Sequence, residues 1–186
     1  MISHKHKCAF VHIPKTGGST IEEMFRLNGM PDIRPREVHY NAQDMLRAYK
    51  HNFEKYYRFS IVRNPWDRVY SVWWNYRDSG KISVDLNYFC RNLQKLKGWS
   101  LLFPQTSFLL WNSSVPQMNY VGRFEELPDV FDFIIDKFSL EIEGIPHQKE
   151  RVGKPKYTDF FNEDSIAVIK LRYESDIEAW GYKYGD

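Results

Sequence analysis

The chain has 186 residues, of which 42% are hydrophobic and 27% are charged, so it is long enough for one folded domain and too apolar to be disordered. Its 26 Lys and Arg against 24 Asp and Glu leave a net charge of +2, which is too small to indicate nucleic-acid binding through bulk electrostatics. The sequence contains no apolar run long enough to span a membrane. Its two cysteines are too few for a disulfide framework or a Cys-rich zinc site. We therefore expect a single soluble domain, 1–186, in a reducing compartment such as the cytoplasm, unless the sequence is a piece of a longer secretory protein.

Strands and helices are predicted to alternate along the chain. The apolar run 7–13 predicts a buried strand, which is followed by a turn over 14–20 and a helix over 21–27. The later predicted elements are a helix at 41–50, a strand at 56–62, helices at 65–77 and 84–97, a strand at 120–124, a helix at 128–138, a basic loop at 144–156, and a last helical stretch from 162 or 164 to about 180. This order predicts an α/β fold with a mainly parallel sheet covered by helices. Ligands of such sheets bind beyond the carboxyl ends of the strands.

A glycine-rich segment, His12-Ile13-Pro14-Lys15-Thr16-Gly17-Gly18-Ser19-Thr20, follows the first of these strands. A helix that begins after such a turn offers unpaired N–H groups to an anion, and Gly17 and Gly18 let the backbone approach that anion closely. Lys15, Ser19 and Thr20 add an ammonium group and two hydroxyls. The order differs from a P-loop, in which the lysine follows the last glycine. The segment therefore predicts a phosphate site of another kind, the alternative being an ordinary strand–helix turn.

A second candidate anion site follows the strand at 56–62. Arg63 comes directly after this strand, and Ser71 lies eight residues later, two turns into the next predicted helix. The guanidinium of arginine suits a phosphate, and a serine on the same helix face can add a hydroxyl. The alternative is that both side chains have only structural roles.

In combination, these segments resemble a known enzyme family. The strings FVHIPKTGGST, FSIVRNPWDRVYS and VGRFEEL are similar to those of sulfotransferases that use 3′-phosphoadenosine 5′-phosphosulfate (PAPS). The similarity is greatest to the carbohydrate-type branch that includes the 2-O-sulfotransferases of heparan and dermatan. The resemblance implies a P-loop-like, three-layer α/β domain. It further implies that residues Lys15, Thr16, Gly17, Gly18, Ser19 and Thr20 hold the 5′-phosphosulfate, and that Arg63 and Ser71 hold the 3′-phosphate.

The implied reaction moves a sulfuryl group to an acceptor hydroxyl, a step that depends on positioning and charge stabilisation. Lys15 is placed to neutralise the leaving phosphate, with help from the backbone N–H groups of 18–20. The sequence has no acidic cluster of the kind that binds Mg²⁺, and the family needs no metal. A general base is required, and His39, between the two candidate sites, is our first choice. Glu23 is the alternative base, because related sulfotransferases carry a catalytic glutamate at a comparable place, and His12 is expected to serve packing.

The remaining expectations concern the nucleotide and the acceptor. The basic loop at 144–156 resembles a segment that folds over the nucleotide, and this resemblance assigns Arg151 to the 3′-phosphate. A small-molecule or saccharide acceptor is expected, whereas the sequence does not indicate its identity or the oligomeric state. Two other functions stay open: a P-loop kinase or NTPase, and a non-catalytic nucleotide-binding module.

Overall fold

A computed structural model of the chain describes residues 1–30, 39–96, 100–109, 117–146 and 155–186. The chain divides into two compact units, each built from two stretches of sequence. Unit 1 comprises Met1–Val62 and Ser107–Glu150, and unit 2 comprises Arg63–Thr106 and Arg151–Asp186.

Unit 1 contains a four-stranded sheet. Its strands are β1 (Ile2–Ser3), β2 (Cys8–Val11), β3 (Tyr57–Val62) and β4 (Tyr120–Arg123), paired in the order β1-β2-β3-β4. The short β1 is antiparallel to β2, whereas β2, β3 and β4 are mutually parallel. In the register, Val11 lies opposite Ser60 and Val62 lies opposite Arg123. The carboxyl ends of β2, β3 and β4 therefore lie at one edge of the sheet, as the sequence predicted.

The helices are α1 (Gly18–Leu27), α2 (Ala42–Lys55), α3 (Pro65–Asp78), α4 (Leu86–Arg91), α5 (Gln105–Leu109), α6 (Leu127–Phe138), α7 (Glu163–Arg172) and α8 (Glu174–Trp180). The expected α/β fold, a mainly parallel sheet flanked by helices, is thus confirmed. Within the part of the chain that the structure describes, none of these helices is long and apolar enough to cross a membrane.

The core of unit 1 packs α1 and α6 against one face of the sheet. Phe10 of β2 and Phe59 of β3 are fully buried and stack with their ring centroids 5.0 Å apart. Phe25 of α1 and Phe138 of α6 meet edge to face at 5.4 Å, and both rings contact Phe59. These aromatic contacts hold α1, the helix that follows the glycine-rich turn, against the sheet.

Unit 2 is built around α3, whose apolar stripe Trp66, Val69, Tyr70 and Trp73 is buried as its spacing predicted. The N-terminus of this helix is capped by Asn64, whose side chain accepts a hydrogen bond from the backbone N–H of Trp66. Helices α4 and α7 pack against α3 in the same core.

Two predicted helices are interrupted in the structure. The helix expected at 84–97 is wrong at both ends: it begins after Asp85, whose side chain caps it, and ends at Arg91, with a 3₁₀ turn at Leu93–Leu96. The last helical stretch is two helices separated by Tyr173, which is fully buried and donates its hydroxyl hydrogen bond to the carbonyl of Leu102. Because this tyrosine is held in the core, the chain turns there.

Candidate functional site

The turn between β2 and α1 has an unusual backbone. Lys15 has φ 70°, and Gly17 has φ 83°, both in the left-handed region. Glycine adopts such angles without cost, whereas lysine does so only where the surrounding structure requires it. Lys15 is therefore held at a defined place in the turn, with its side chain partly exposed.

The N-terminus of α1 is suited to an anion. Gly17 is its N-cap residue, and within the described residues no side chain caps this end of the helix or places a carboxylate in its first turn. The first backbone N–H groups of a helix have no intrahelical acceptor and carry a partial positive charge. Since the N–H of Thr20 donates to the carbonyl of Gly17 at 3.1 Å, the N–H groups of Gly18 and Ser19 are those that precede the helical hydrogen bonds.

The hydroxyl groups of the turn differ in their placement. The hydroxyl of Thr16 is buried and donates a hydrogen bond to the carbonyl of Ile13 at 2.8 Å, so it serves the turn itself. Ser19 is partly exposed, whereas Thr20 is mostly buried. Of the predicted side-chain ligands in this turn, Lys15 and Ser19 are the two that have appreciable exposure.

Gly18 lies directly against the imidazole of His12. A Cβ atom at position 18 would come within 2.2 Å of His12 Cδ2 and 2.4 Å of His12 Nε2. Position 18 therefore has no room for a side chain unless His12 moves. The buried ring of His12 also stacks on Phe10, with centroids 5.6 Å apart, which agrees with the expected packing role.

His12 has a second contact that the sequence did not indicate. Its Nδ1 lies 2.8 Å from Oε1 of Glu22, and both side chains are largely buried. Glu22 is in the second turn of α1, one residue before Glu23. The acidic side chain that faces the turn is thus Glu22.

His39 lies beside His12. Its Nδ1 is 3.3 Å from the carbonyl oxygen of His12, and the two rings meet edge to face with centroids 4.7 Å apart. Because a carbonyl oxygen only accepts, His39 Nδ1 must donate, which leaves Nε2 of the neutral ring as a proton acceptor. Burial and the neighbouring His12 are the main causes that lower the pKa of His39, although the residue as a whole remains exposed. The neutral, basic form is therefore favoured.

Glu23, the alternative base, is engaged elsewhere. Both of its carboxylate oxygens accept hydrogen bonds from the guanidinium of Arg26, one turn along α1. These bonds lower the pKa of Glu23. A carboxylate stabilised in its ionised form is a weaker base, so the geometry favours His39 over Glu23.

In unit 2, Arg63 is buried and paired. Its Nε donates to Oδ2 of Asp67 at 2.7 Å, and its Nη2 lies 2.6 Å from the same oxygen. The side-chain amide of Gln105 bonds both backbone polar groups of Arg63, accepting from its N–H at 2.9 Å and donating to its carbonyl at 2.8 Å. Ser71 is partly exposed on α3, one helical turn beyond Asp67 and on the same face. The predicted Arg63 and Ser71 therefore flank a carboxylate.

Sequence analysis missed three residues of these sites: Glu22, Asp67 and Gln105. The four-residue spacing of Arg63 and Asp67 on a predicted helix was a usable signal. Nothing comparable pointed to Gln105, because its contact with Arg63 joins residues 42 positions apart.

The predicted nucleotide ligand Arg151 lies outside the described residues. Within the described residues, no group of three or more His, Cys, Asp or Glu side chains could hold a metal ion.

A family model described as the sulfotransferase family matches residues 1–183. A crystal structure of a sulfotransferase from Alicyclobacillus acidocaldarius is similar to this chain at 14% sequence identity and a TM-score of 0.43, with 95% of this chain and 89% of that one covered. The comparison with curated proteins found no match.

Proposed function

This chain belongs to the sulfotransferase family, and on that premise we propose that it transfers a sulfuryl group from PAPS to an acceptor hydroxyl. The observation that carries the proposal is the turn before α1, where Lys15 is held in a left-handed conformation ahead of a helix N-terminus with no carboxylate in its first turn. A helix end of this kind stabilises phosphate and sulfate groups. We further propose that 1–186 forms one sulfotransferase domain.

Lys15 has the role of stabilising the leaving group. As the acceptor oxygen bonds to sulfur, the bond between sulfur and the bridging phosphate oxygen breaks, and its electron pair stays on the phosphate. An ammonium group beside that oxygen offsets the new charge, and the N–H groups of Gly18 and Ser19 assist. Thr16 and Thr20 hold the shape of the turn through the hydrogen bonds described above.

His39 is the general base of the proposal. Its Nδ1 donates to the His12 carbonyl, so Nε2 can take the proton of the acceptor hydroxyl. The lowered pKa of His39 keeps the ring neutral near pH 7, as this role requires. Glu23 is the less suitable base because Arg26 already binds its carboxylate.

Arg63 and Ser71 are proposed to bind the 3′-phosphate of the nucleotide. Asp67 already accepts hydrogen bonds from Nε and Nη2 of Arg63, but a guanidinium has five N–H donors and can serve two acceptors at once. Arg151 is retained as a further 3′-phosphate ligand on the resemblance alone. The acceptor is proposed to be a saccharide or another small hydroxylated compound, in keeping with the carbohydrate-type resemblance.

Nucleotide binding is the first test. Adenosine 3′,5′-bisphosphate without metal should raise the melting temperature of the protein, because a ligand that binds only the folded state stabilises it. Adenosine 5′-phosphate should bind more weakly than the bisphosphate. Arg63→Ala should lower the ratio of these two affinities about tenfold or more. Stabilisation by ATP with Mg²⁺, and none by the bisphosphate, would instead identify a kinase or NTPase.

Turnover is the second test. Incubation with PAPS and a panel of hydroxylated acceptors should give products 80 Da heavier in the mass spectrum, roughly the mass of one sulfuryl group. Lys15→Ala should lower kcat about 100-fold or more, and His39→Asn should lower it by about 100- to 10,000-fold with little change in nucleotide affinity. Binding of the bisphosphate with no product from any acceptor would indicate a non-catalytic binding module.

A further inference from the structure

Glu22 is a carboxylate beside the proposed catalytic site for which the reaction described so far has no use. Its side chain is 15% exposed, and its Oε1 lies 2.8 Å from Nδ1 of His12, whose side chain is 5% exposed. A largely buried carboxylate requires a hydrogen-bonding partner close by. His12 provides that partner through one ring nitrogen.

His12 connects Glu22 to His39. The His12 ring lies against the His39 ring, with centroids 4.7 Å apart, and the His12 carbonyl accepts the hydrogen bond from His39 Nδ1. Glu22, His12 and His39 therefore form a continuous row in which each member touches the next. The row runs from Glu22 of α1, through the residue that follows β2, to His39, which lies shortly before α2.

We propose that Glu22, acting through His12, is a positioning residue that orients His39 and stabilises its imidazolium form. This inference rests on the proposed function, in which the proton of the acceptor hydroxyl passes to Nε2 of His39 while the acceptor oxygen bonds to sulfur. The sulfur–oxygen bond to the donor phosphate breaks in the same step, and its electron pair leaves with adenosine 3′,5′-bisphosphate. One positive charge then resides on His39, and the carboxylate of Glu22 offsets it across the His12 ring.

The charged groups around His39 act in opposite directions. Burial, which is the largest cause, and the neighbouring His12 lower the pKa of His39, as does the α-amino group of Met1. The hydrogen bond that His39 makes with the His12 carbonyl raises this pKa, and the carboxylate of Glu22 raises it further. Glu22 is therefore the acidic group that, together with the His12 carbonyl, acts against burial and the second imidazole and favours the protonated form of His39.

Titration of His39 by NMR in the full-length protein tests the inference without any need for turnover. Glu22→Gln removes the charge but retains an oxygen that can accept from His12 Nδ1, so the fold and the contact should survive. We expect the His39 midpoint to move to lower pH in Glu22→Gln and to stay near the wild-type value in Glu22→Asp. Glu54→Gln removes an exposed carboxylate from α2 of the same unit and should leave the midpoint unchanged.

A second variant, Glu22→Ala, and the pH profile of kcat provide further tests of the role of Glu22. If Glu22→Gln does not fold, Glu22→Ala should give the same downward shift. In the wild-type enzyme, the acid limb of the kcat profile should follow the His39 midpoint, and Glu22→Gln should move that limb to lower pH. Its loss of plateau rate should be smaller than the roughly 100-fold or greater loss from removing His39.

The two possible failures are distinguishable. An unchanged His39 midpoint in a folded, uncharged Glu22 variant would overturn the role of Glu22 even if the wild-type protein transfers sulfate. If Glu22→Gln shifts the His39 midpoint but the wild-type protein transfers no sulfuryl group, the role of Glu22 toward His39 stands and the proposed function is overturned.

Discussion

Lys15, to which we assign the role of stabilising the leaving group, has a backbone conformation that its side chain disfavours. A left-handed conformation costs a residue with a Cβ atom about 1–2 kcal/mol, and Lys15 has φ 70°. Such strain persists where the surrounding structure imposes it, and it is common at functional sites. Gly17, two residues later, is also left-handed. The turn therefore contains two left-handed residues, and one of them, Lys15, carries the ammonium group.

The strain at position 15 can be measured by comparing two variants. Lys15→Gly and Lys15→Ala both remove the ammonium group, but only glycine relieves the left-handed strain. We expect Lys15→Gly to unfold with a free energy about 1 kcal/mol higher than Lys15→Ala, while turnover is lost in both. Chemical denaturation gives the free energies, and equal values for the two variants would show that the backbone at position 15 is unstrained.

Gly18 is required for a different reason, which is space. Its φ is not in the left-handed region, but the His12 ring occupies the place of a side chain, 2.2 Å from the Cβ that alanine would add. Gly18→Ala must therefore displace the ring and weaken its bond to Glu22, at a cost of about 1–3 kcal/mol. Gly80→Ala is a useful comparison because position 80 has open space but a φ of 69°, so its cost reports backbone strain alone. A stability loss in Gly18→Ala without any change in the NMR signals of the His12 ring would contradict this account.

At the residue scale, sequence reasoning could propose only the groups that have a distinctive local pattern. The string around Lys15, Gly17 and Gly18 could be proposed as an anion site because a turn of this kind is built from consecutive residues. Glu22 was passed over in favour of Glu23, since the choice between adjacent helical carboxylates depends on which one faces His12. That direction is set by the packing of α1 on the sheet, which no local pattern contains.

Among the elements, the short helix α5 links Arg63, the residue after β3, to α8 through hydrogen bonds of Gln105 and Thr106. Its N-terminus is held by the buried Asp176 of α8, whose carboxylate accepts from the backbone N–H groups of Gln105 and Thr106 at 2.8 and 2.9 Å. Gln105 in turn bonds both backbone groups of Arg63. The position of Arg63 in unit 2 thus depends on a helix of five residues and on a carboxylate more than 100 positions away in sequence.

Removing the side chain of Gln105 should therefore affect both stability and 3′-phosphate binding. Gln105→Ala removes the two buried hydrogen bonds that Gln105 makes with the backbone of Arg63, which costs about 1–3 kcal/mol. The bisphosphate should lose more affinity than adenosine 5′-phosphate. Gln94→Ala, in an exposed part of the 3₁₀ turn, should change neither quantity. Equal losses for the two nucleotides would assign Gln105 to stability alone.

The elements themselves were predictable to different degrees. α3 has a proline at its first position, a capping asparagine and a regular apolar stripe, and its predicted bounds differ from the observed ones by one residue. The helix expected at 84–97 ended early because the side chain of Asn92 bonds the carbonyl of Tyr88 and its N–H bonds those of Cys90 and Phe89. The strand β1 has only two residues, which are too few to show an alternation of buried and exposed side chains. It forms by pairing with β2, so the sequence alone did not predict it.

For the molecule as a whole, charge is nearly balanced, so binding of an anionic nucleotide must come from local groups. A net charge of +2 gives little long-range attraction, and salt screens what there is over about 10 Å at 0.1 M. The few groups proposed as ligands therefore have to provide both affinity and selectivity. We accordingly propose one phosphate site at the turn before α1 in unit 1 and another at the buried Arg63 in unit 2, and each of these is held by hydrogen bonds of its own unit.

The free energy of unfolding of the whole protein should depend on pH through the titration of His39. The folded state lowers the pKa of His39 below its ordinary value of 6.5, so between the lowered value and 6.5 the unfolded chain binds more protons than the folded one. The free energy of unfolding must then rise with pH through this window, and the stability is lost as the pH falls through the folded pKa. In urea denaturation between about pH 5 and pH 8, the free energy of wild type minus that of His39→Asn should increase up to 6.5 and stay level above it. A flat difference for His39→Asn would mean that folding does not disfavour the charged form of this residue.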